Sequence, residues 1–274
     1  MKKYSTYLVY GLYFTLLQIG LLYELSPYAS GELSMADYKL VALSCLLLLL
    51  YALPLLYLFR QWQKRWKLPA LLLPGAIGSG WLIAGWSAAL GNDLLGQLLQ
   101  GVLTDSETFA SWEGALTAPI VEEPLKLLAA LLVLFAFGLR SKQATLLAGA
   151  GAGLGFQLTE DISYAFHAVT ENPDTALSAT FARIGGSLTS HWMMTALVAV
   201  GVALLYSEIK KERTSGKALI FSTFFFHFVW NSPFASIETP FSIHLSLLSG
   251  SYCLLFFSVY RSLENQPLSS FTPK

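Results

Sequence analysis

Apolar residues run through this chain in stretches far longer than a surface helix requires, separated at fairly regular intervals by short polar connections. A helix crosses the hydrocarbon of a bilayer with roughly 20 mostly apolar residues. Eight segments meet that requirement, at about 5–24, 38–59, 69–90, 114–138, 143–168, 178–206, 216–236 and 241–261. The fifth is the least obvious, being rich in Gly and interrupted by Glu160-Asp161. The pattern predicts an all-α polytopic protein, a bundle of eight transmembrane helices in a single membrane domain over 1–262. A short disordered cytoplasmic tail, rich in Pro and Ser, is expected over 263–274. The connection 91–113 holds an apolar stretch from Leu94 to Leu103, with Phe109 and Trp112 beyond it. It reads either as a short helix lying along the membrane surface or as an ordinary loop. Lys2-Lys3 precedes an apolar run as in a signal peptide. No small-residue cleavage pattern follows, so the run reads as a retained first helix.

The charges test this count independently. Lys2, Lys3, Arg60, Lys64, Arg65, Lys67, Arg140, Lys142, Lys210, Lys211, Arg213, Lys217, Arg261 and Lys274 all fall at the ends or in alternate connections. The opposite connections hold acidic residues, among them Glu24, Asp93, Glu113 and Asp174, with Lys39 as their one basic residue. An excess of Lys and Arg marks cytoplasmic loops, which places both termini in the cytoplasm. Composition agrees: 54% of the 274 residues are hydrophobic and 12% charged, and mean hydropathy is +0.54. Net charge is zero and no basic stripe appears, which excludes nucleic acid as an expected partner. Cys45 and Cys253 lie in apolar runs and read as small hydrophobes rather than a disulfide framework.

Against that background the polar residues inside the spans stand out: Glu122-Glu123, Glu160-Asp161, His191 and His227. Ionisable groups in hydrocarbon are costly and mark functional sites. With 1.5 Å of rise per residue, Glu122 and Glu123 lie about 12–14 Å below the external surface. Glu160 falls at a similar depth, and the two histidines lie nearer the centre on the external side. Four helices therefore offer polar groups in one layer. Glu122 and Lys126 share a helix face, as do Glu160 and Tyr164, His191 and Thr195, and His227 and Asn231. Arg183 lies two turns above His191, a further cation near the cluster, and Asp161 reads as a cap, a bridge to Arg183 or a substitute for Glu160. Gly149, Gly151, Gly153 and Gly155 allow close helix approach, which draws Glu160 into the bundle. Pro119 and Pro124 bracket the glutamate pair and are expected to loosen span four.

Two imidazoles and a carboxylate form a common ligand set for catalytic zinc, with a coordination position left for water. A further carboxylate can accept the proton of that water as it attacks a carbonyl. The residues predict His191, His227 and Glu160 as metal ligands and Glu122 or Glu123 as general base. Lys126 and Asn231 would steady the ligands or a developing oxyanion. His and Glu ligands suit several divalent ions besides Zn2+. His167 and His244, at the external ends of their spans, read as interfacial.

These residues carry a family resemblance. Glu122-Glu123-Pro124-Leu125-Lys126 resembles the Glu-Glu-x-x-Lys motif of the PrsW family of intramembrane metalloproteases. Phe156 through Tyr164 is similar to that family's Phe-x-x-x-Glu-Asp-x-x-Tyr segment. His191 with Thr195-Ala196, and His227 with Trp230-Asn231, are similar to its third and fourth motifs. The resemblance covers roughly 110–235, the motif-bearing core. Ala199 stands where the family often has a glycine, with Gly201 nearby, and the first three spans match nothing in the pattern. The resemblance implies a hydrolase of the bacterial cytoplasmic membrane that cleaves a membrane-anchored protein, such as an anti-sigma factor, near the external side. It also implies distant kinship with prenyl-protein proteases, and by that kinship Glu122 is the preferred base, supported by Glu123.

Two other functions use similar residues. Buried carboxylates and histidines build proton relays and ion pathways in transporters, which predict paired halves with related broken helices; no such repeat is evident. A catalytically silent chaperone or scaffold for membrane helices would have no need to keep the whole ligand-like set.

Overall fold

The computed structural model describes residues 2–29, 33–102, 106–237 and 242–266. Among these residues there is no β-strand, and ten α-helices follow one another: α1 Lys2–Ala29, α2 Met35–Arg65, α3 Leu72–Ser79, α4 Gly85–Gln100, α5 Ser106–Ala136, α6 Lys142–Glu171, α7 Ala176–Ser187, α8 His191–Leu205, α9 Lys210–Trp230 and α10 Ile243–Glu264. A π-helical turn, Gly80–Ala84, joins α3 to α4 without interruption. Among the described residues four segments are long and apolar enough to cross a membrane by length and composition alone: Tyr7–Tyr28, Met35–Arg65, Pro173–Leu205 and Ile243–Glu264. Large apolar side chains such as Leu46, Leu50, Leu53 and Leu254 point outward, the reverse of a water-soluble surface.

Helix α6 is the axis of the molecule and packs against α2, α3, α5, α7 and α8. From Lys142 to Phe156 every residue is buried. Its glycines serve two faces. A Cβ at Gly153 would lie 2.4 Å from the His191 carbonyl oxygen and 2.6 Å from Trp192 Cα, so α8 packs directly on the α6 backbone. A Cβ at Gly155, on another face, would lie 2.0 Å from the Ile77 carbonyl oxygen of α3. These contacts are the close approach that small residues permit between helices in lipid.

Local signals set several helix ends. Ser34 and Asp37 form a reciprocal capping box at the start of α2, and Ser141 accepts from the Ala144 amide at the start of α6. Near the expected cytoplasmic ends Lys142 pairs with Glu212 at 2.7 Å, and a cluster of Phe59, Trp62, Trp66, Trp192, Phe256 and Tyr260 ties α2, α8 and α10 together.

The structure redraws one expected span, decides between the two readings of one connection and moves one boundary. The segment 178–206 is not one helix: α7 stops at Ser187 and α8 starts at His191. Gly185, Gly186, Ser187, Thr189 and Ser190 supply few strong helix formers, and Ser190 leaves helical geometry at φ −119°, ψ −139°. The connection 91–113 is mostly helical, because α4 continues to Gln100 and α5 begins at Ser106. The expected tail 263–274 begins inside α10, which runs to Glu264; residues 267–274 lie outside the described residues. Helix α5 continues through both Pro119 and Pro124.

Candidate metal centre

The break before His191 turns the first residue of α8 into the middle of the bundle. His191 faces α5, which carries Glu122, Glu123 and Lys126 on adjacent turns, while His227 approaches from the last turn of α9. The two imidazole rings are 5.3 Å apart between centroids. One ligand-capable atom from each of Glu122, His191 and His227 lies within 4.8 Å of the other two, and all three residues are buried.

Each imidazole has its own carboxylate. The Nδ1 of His227 lies 2.9 Å from Glu123 Oε1. With Glu123 ionised, Nδ1 carries the proton and Nε2 presents its lone pair. That Nε2 is buried without a hydrogen-bond partner and faces Glu122 Oε2 at 3.6 Å. On the other side His191 Nε2 lies 3.1 Å from Glu160 Oε2. This arrangement leaves Nδ1 of His191 as the acceptor, and Lys126 Nζ stands 3.0 Å from it. Carboxylates that hold the far nitrogen of a ligating histidine fix its tautomer and orientation.

Lys126 is fully buried and is the cation of the cluster. Its Nζ lies 2.6 Å from Glu123 Oε1 and 3.4 Å from Glu122 Oε2, and 4.5 Å from the centre of the Phe156 ring. Asn92 of α4 donates to Glu122 Oε1 at 3.1 Å. A second network holds Glu160 from behind. Arg183 of α7 bonds both Glu160 and Asp161, while Asp161 also accepts from Tyr51 at 2.8 Å and from Ser187 at 2.9 Å.

Two cavities meet here. One, of about 660 Å³, has a polar lining that includes Asp93, Glu113, Arg183 and Asn231. The other, of about 620 Å³, is mainly apolar and runs between α1, α4 and α6. Asn92, Glu122, Glu160 and Tyr164 line both.

The structure thus brings Glu122, Glu123, Lys126, Glu160, His191 and His227 into one cluster, with Asn231 on the wall of the polar cavity. Glu160 touches His191 and is held by Arg183, while the carboxylate grouped with both imidazoles is that of Glu122. His167 lines the apolar cavity, and His244 lies 3.4 Å from the Ala235 carbonyl oxygen. Asn92 and Tyr51 carried no signal in the sequence, because a lone Asn or Tyr in an apolar helix is common. Glu24, assigned above to an external connection, instead accepts a 2.6 Å hydrogen bond from Thr159, the residue before Glu160.

The donor set fits a divalent metal: two imidazoles, a carboxylate beside them, and an orphaned buried nitrogen on His227 that no protein group satisfies. Among known proteins, the sequence model of the PrsW family intramembrane metalloproteases matches residues 68–261, well over half of the chain. No curated protein and no solved structure matches.

Proposed function

The chain belongs to the PrsW family of intramembrane metalloproteases, and from that premise we propose that it is a metal-dependent endopeptidase of a bacterial cytoplasmic membrane. Its substrate is a membrane-anchored protein, cut near the external side of the bilayer. The observation that carries this reading is the convergence of Glu122, His191 and His227, from three helices, around an unpartnered buried His227 nitrogen where two cavities meet. The alternating charges support eight crossings with both termini in the cytoplasm.

Glu122, His191 and His227 would hold the metal, Zn2+ in the first instance. Bound there, it would supply Lewis-acid polarisation of a peptide carbonyl and a water of lowered pKa. Glu123 orients His227 through its Nδ1, while Glu160 and Lys126 hold the two nitrogens of His191, one of which His191 would give up to ligate the metal. Glu160 also faces both cavities, which supports it as the group that would take a proton from the attacking water and return it to the leaving amine. Arg183 and Asp161 fix Glu160, and Asn92 fixes Glu122. Asn231, on the polar cavity wall, would donate to the developing oxyanion. Read from the sequence, these roles are the other way round, with Glu160 as ligand and Glu122, preferred through the family resemblance, as base.

Elemental analysis of the purified protein beside His191→Ala, His227→Ala, Glu122→Gln and Glu160→Gln separates these roles. We expect one zinc per chain in the parent, strong loss in both histidine variants and in Glu122→Gln, and retention in Glu160→Gln with loss of cleavage. Zinc retained in Glu122→Gln but lost in Glu160→Gln would reverse the two glutamates. Equal zinc, or none, in all five proteins would sink the metal assignment.

A further inference from the structure

Helix α1 forms one wall of the apolar cavity, and its ties to the opposite wall, α6, are few. Helix α1 packs chiefly on the π turn, where a Cβ at Gly20 would lie 1.8 Å from the Leu82 carbonyl oxygen, and on α4 and α5. Toward α6 it is tied by the Thr159–Glu24 hydrogen bond and by the edge-on contact of Tyr28 with Phe166, ring centroids 5.6 Å apart. Both contacts lie in the lining of the apolar cavity, whose inner end is Glu122 and Glu160. A half-buried carboxylate held by a hydroxyl is a polar tie to α6 that another donor can replace.

The two cavities also differ in chemistry. The polar one, beside Asp93, Glu113 and Arg183, suits water as the route to Glu122 and Glu160. An apolar segment has no reason to enter there. It finds a matching surface between α1 and α6, where Tyr28, Ala88, Ala89, Ile162 and Phe166 are presented. A helix about 10 Å across with a 5.4 Å pitch takes roughly 420 Å³ per turn, so the cavity holds about a turn and a half. A carbonyl inside an intact helix is already bonded within the helix and shielded. The occupant must therefore be a short stretch in which helical bonding is broken.

We propose that the space between α1 and α6 is the lateral docking site for the transmembrane segment of the substrate. It receives a short apolar stretch loosened by small residues, and Glu24 releases Thr159 to accept a backbone N–H freed from the incoming helix. This rests on the protease reading above for the identity of the occupant, but not on the metal.

The test uses the full chain with Glu122→Gln, to prevent turnover, and with Cys45→Ala and Cys253→Ala, in phosphatidylcholine vesicles. Single cysteines replace Ser163, which lines only the apolar cavity, or Ala182, which lines only the polar one. The probe is a synthetic Leu-Ala peptide of about 20 residues with a central Gly-Ser-Gly break. At about ten times its dissociation constant the peptide should slow maleimide labelling of Ser163→Cys about tenfold and leave Ala182→Cys unchanged. Adding Ala89→Trp, which fills the apolar cavity, should remove that protection, and a peptide without the break should protect less. Protection of Ala182→Cys instead, protection at neither site, or protection insensitive to Ala89→Trp would overturn the docking site. Protection of Ser163→Cys by a protein whose parent neither holds zinc nor cleaves would leave the docking site standing and refute the metalloprotease reading.

Discussion

Glu123 and Lys126 are fully buried, and neither faces open space, yet the geometry of both imidazoles passes through them. Glu123→Gln keeps the shape but weakens the hold on His227 Nδ1. Loss of such a partner typically costs 10–100-fold in metal affinity. A zinc titration in detergent should show a drop of about that size for Glu123→Gln, and an unchanged affinity would mean that Glu123 does not orient His227. Lys126→Met leaves two neighbouring carboxylates without their cation. Breaking a buried pair in this way costs about 3–5 kcal/mol, so chemical unfolding in mixed micelles should detect a large loss, independent of zinc. A loss below ~1 kcal/mol would show that the glutamates find another partner. At this scale the sequence was informative where residues are chemically rare. Carboxylates and histidines in apolar runs stand out, and helical rise alone puts them in one layer. Tyr51 and Asn92 did not stand out. Their partners, Asp161 and Glu122, lie 110 and 30 positions away, and ordinary polar side chains acquire a role only once the helices are packed.

Between elements, the close seam of α6 with α8 holds the site to its dimensions, because Glu160 and His191 lie on its two sides. Gly153→Leu would drive a side chain into the His191 carbonyl and Trp192 Cα, neither of which can move without α8. Overpacking of this kind costs typically about 1–3 kcal/mol. Thermal unfolding should place Gly153→Leu well below the parent, while Gly78→Ala, which meets open space, should melt with it. Comparable melting of the two variants would refute the tight seam. The glycine run was legible in the sequence as a close-packing signal, but which neighbours it meets was not. Nor was the interruption before His191. An average over some 20 residues smooths across Leu188–Ser190, and only weak helix formers mark the place. A helix over the apolar stretch from Leu94 was legible as one of two readings, but that it continues α4 instead of standing apart was not.

For the whole molecule, the alternation of basic and acidic connections makes a direct forecast. Single cysteines at Ser141 and Ser207, in a background without Cys45 and Cys253, should resist an impermeant maleimide applied to intact cells. Cysteines at Ser111 and Asp174 should react. Labelling of Ser141→Cys and Asp174→Cys from the same side would break the eight-span topology. The family match begins at residue 68, whereas α1, which walls the apolar cavity with Tyr23, Glu24 and Tyr28, ends at Ala29. The motif-bearing helices and the wall in front of them are therefore separate stretches of one gene. Selection can rewrite the wall through changes in the stretch that encodes α1 while the ligand set stays untouched. Grafting that stretch between relatives offers an evolutionary route to new clients that never risks the chemistry.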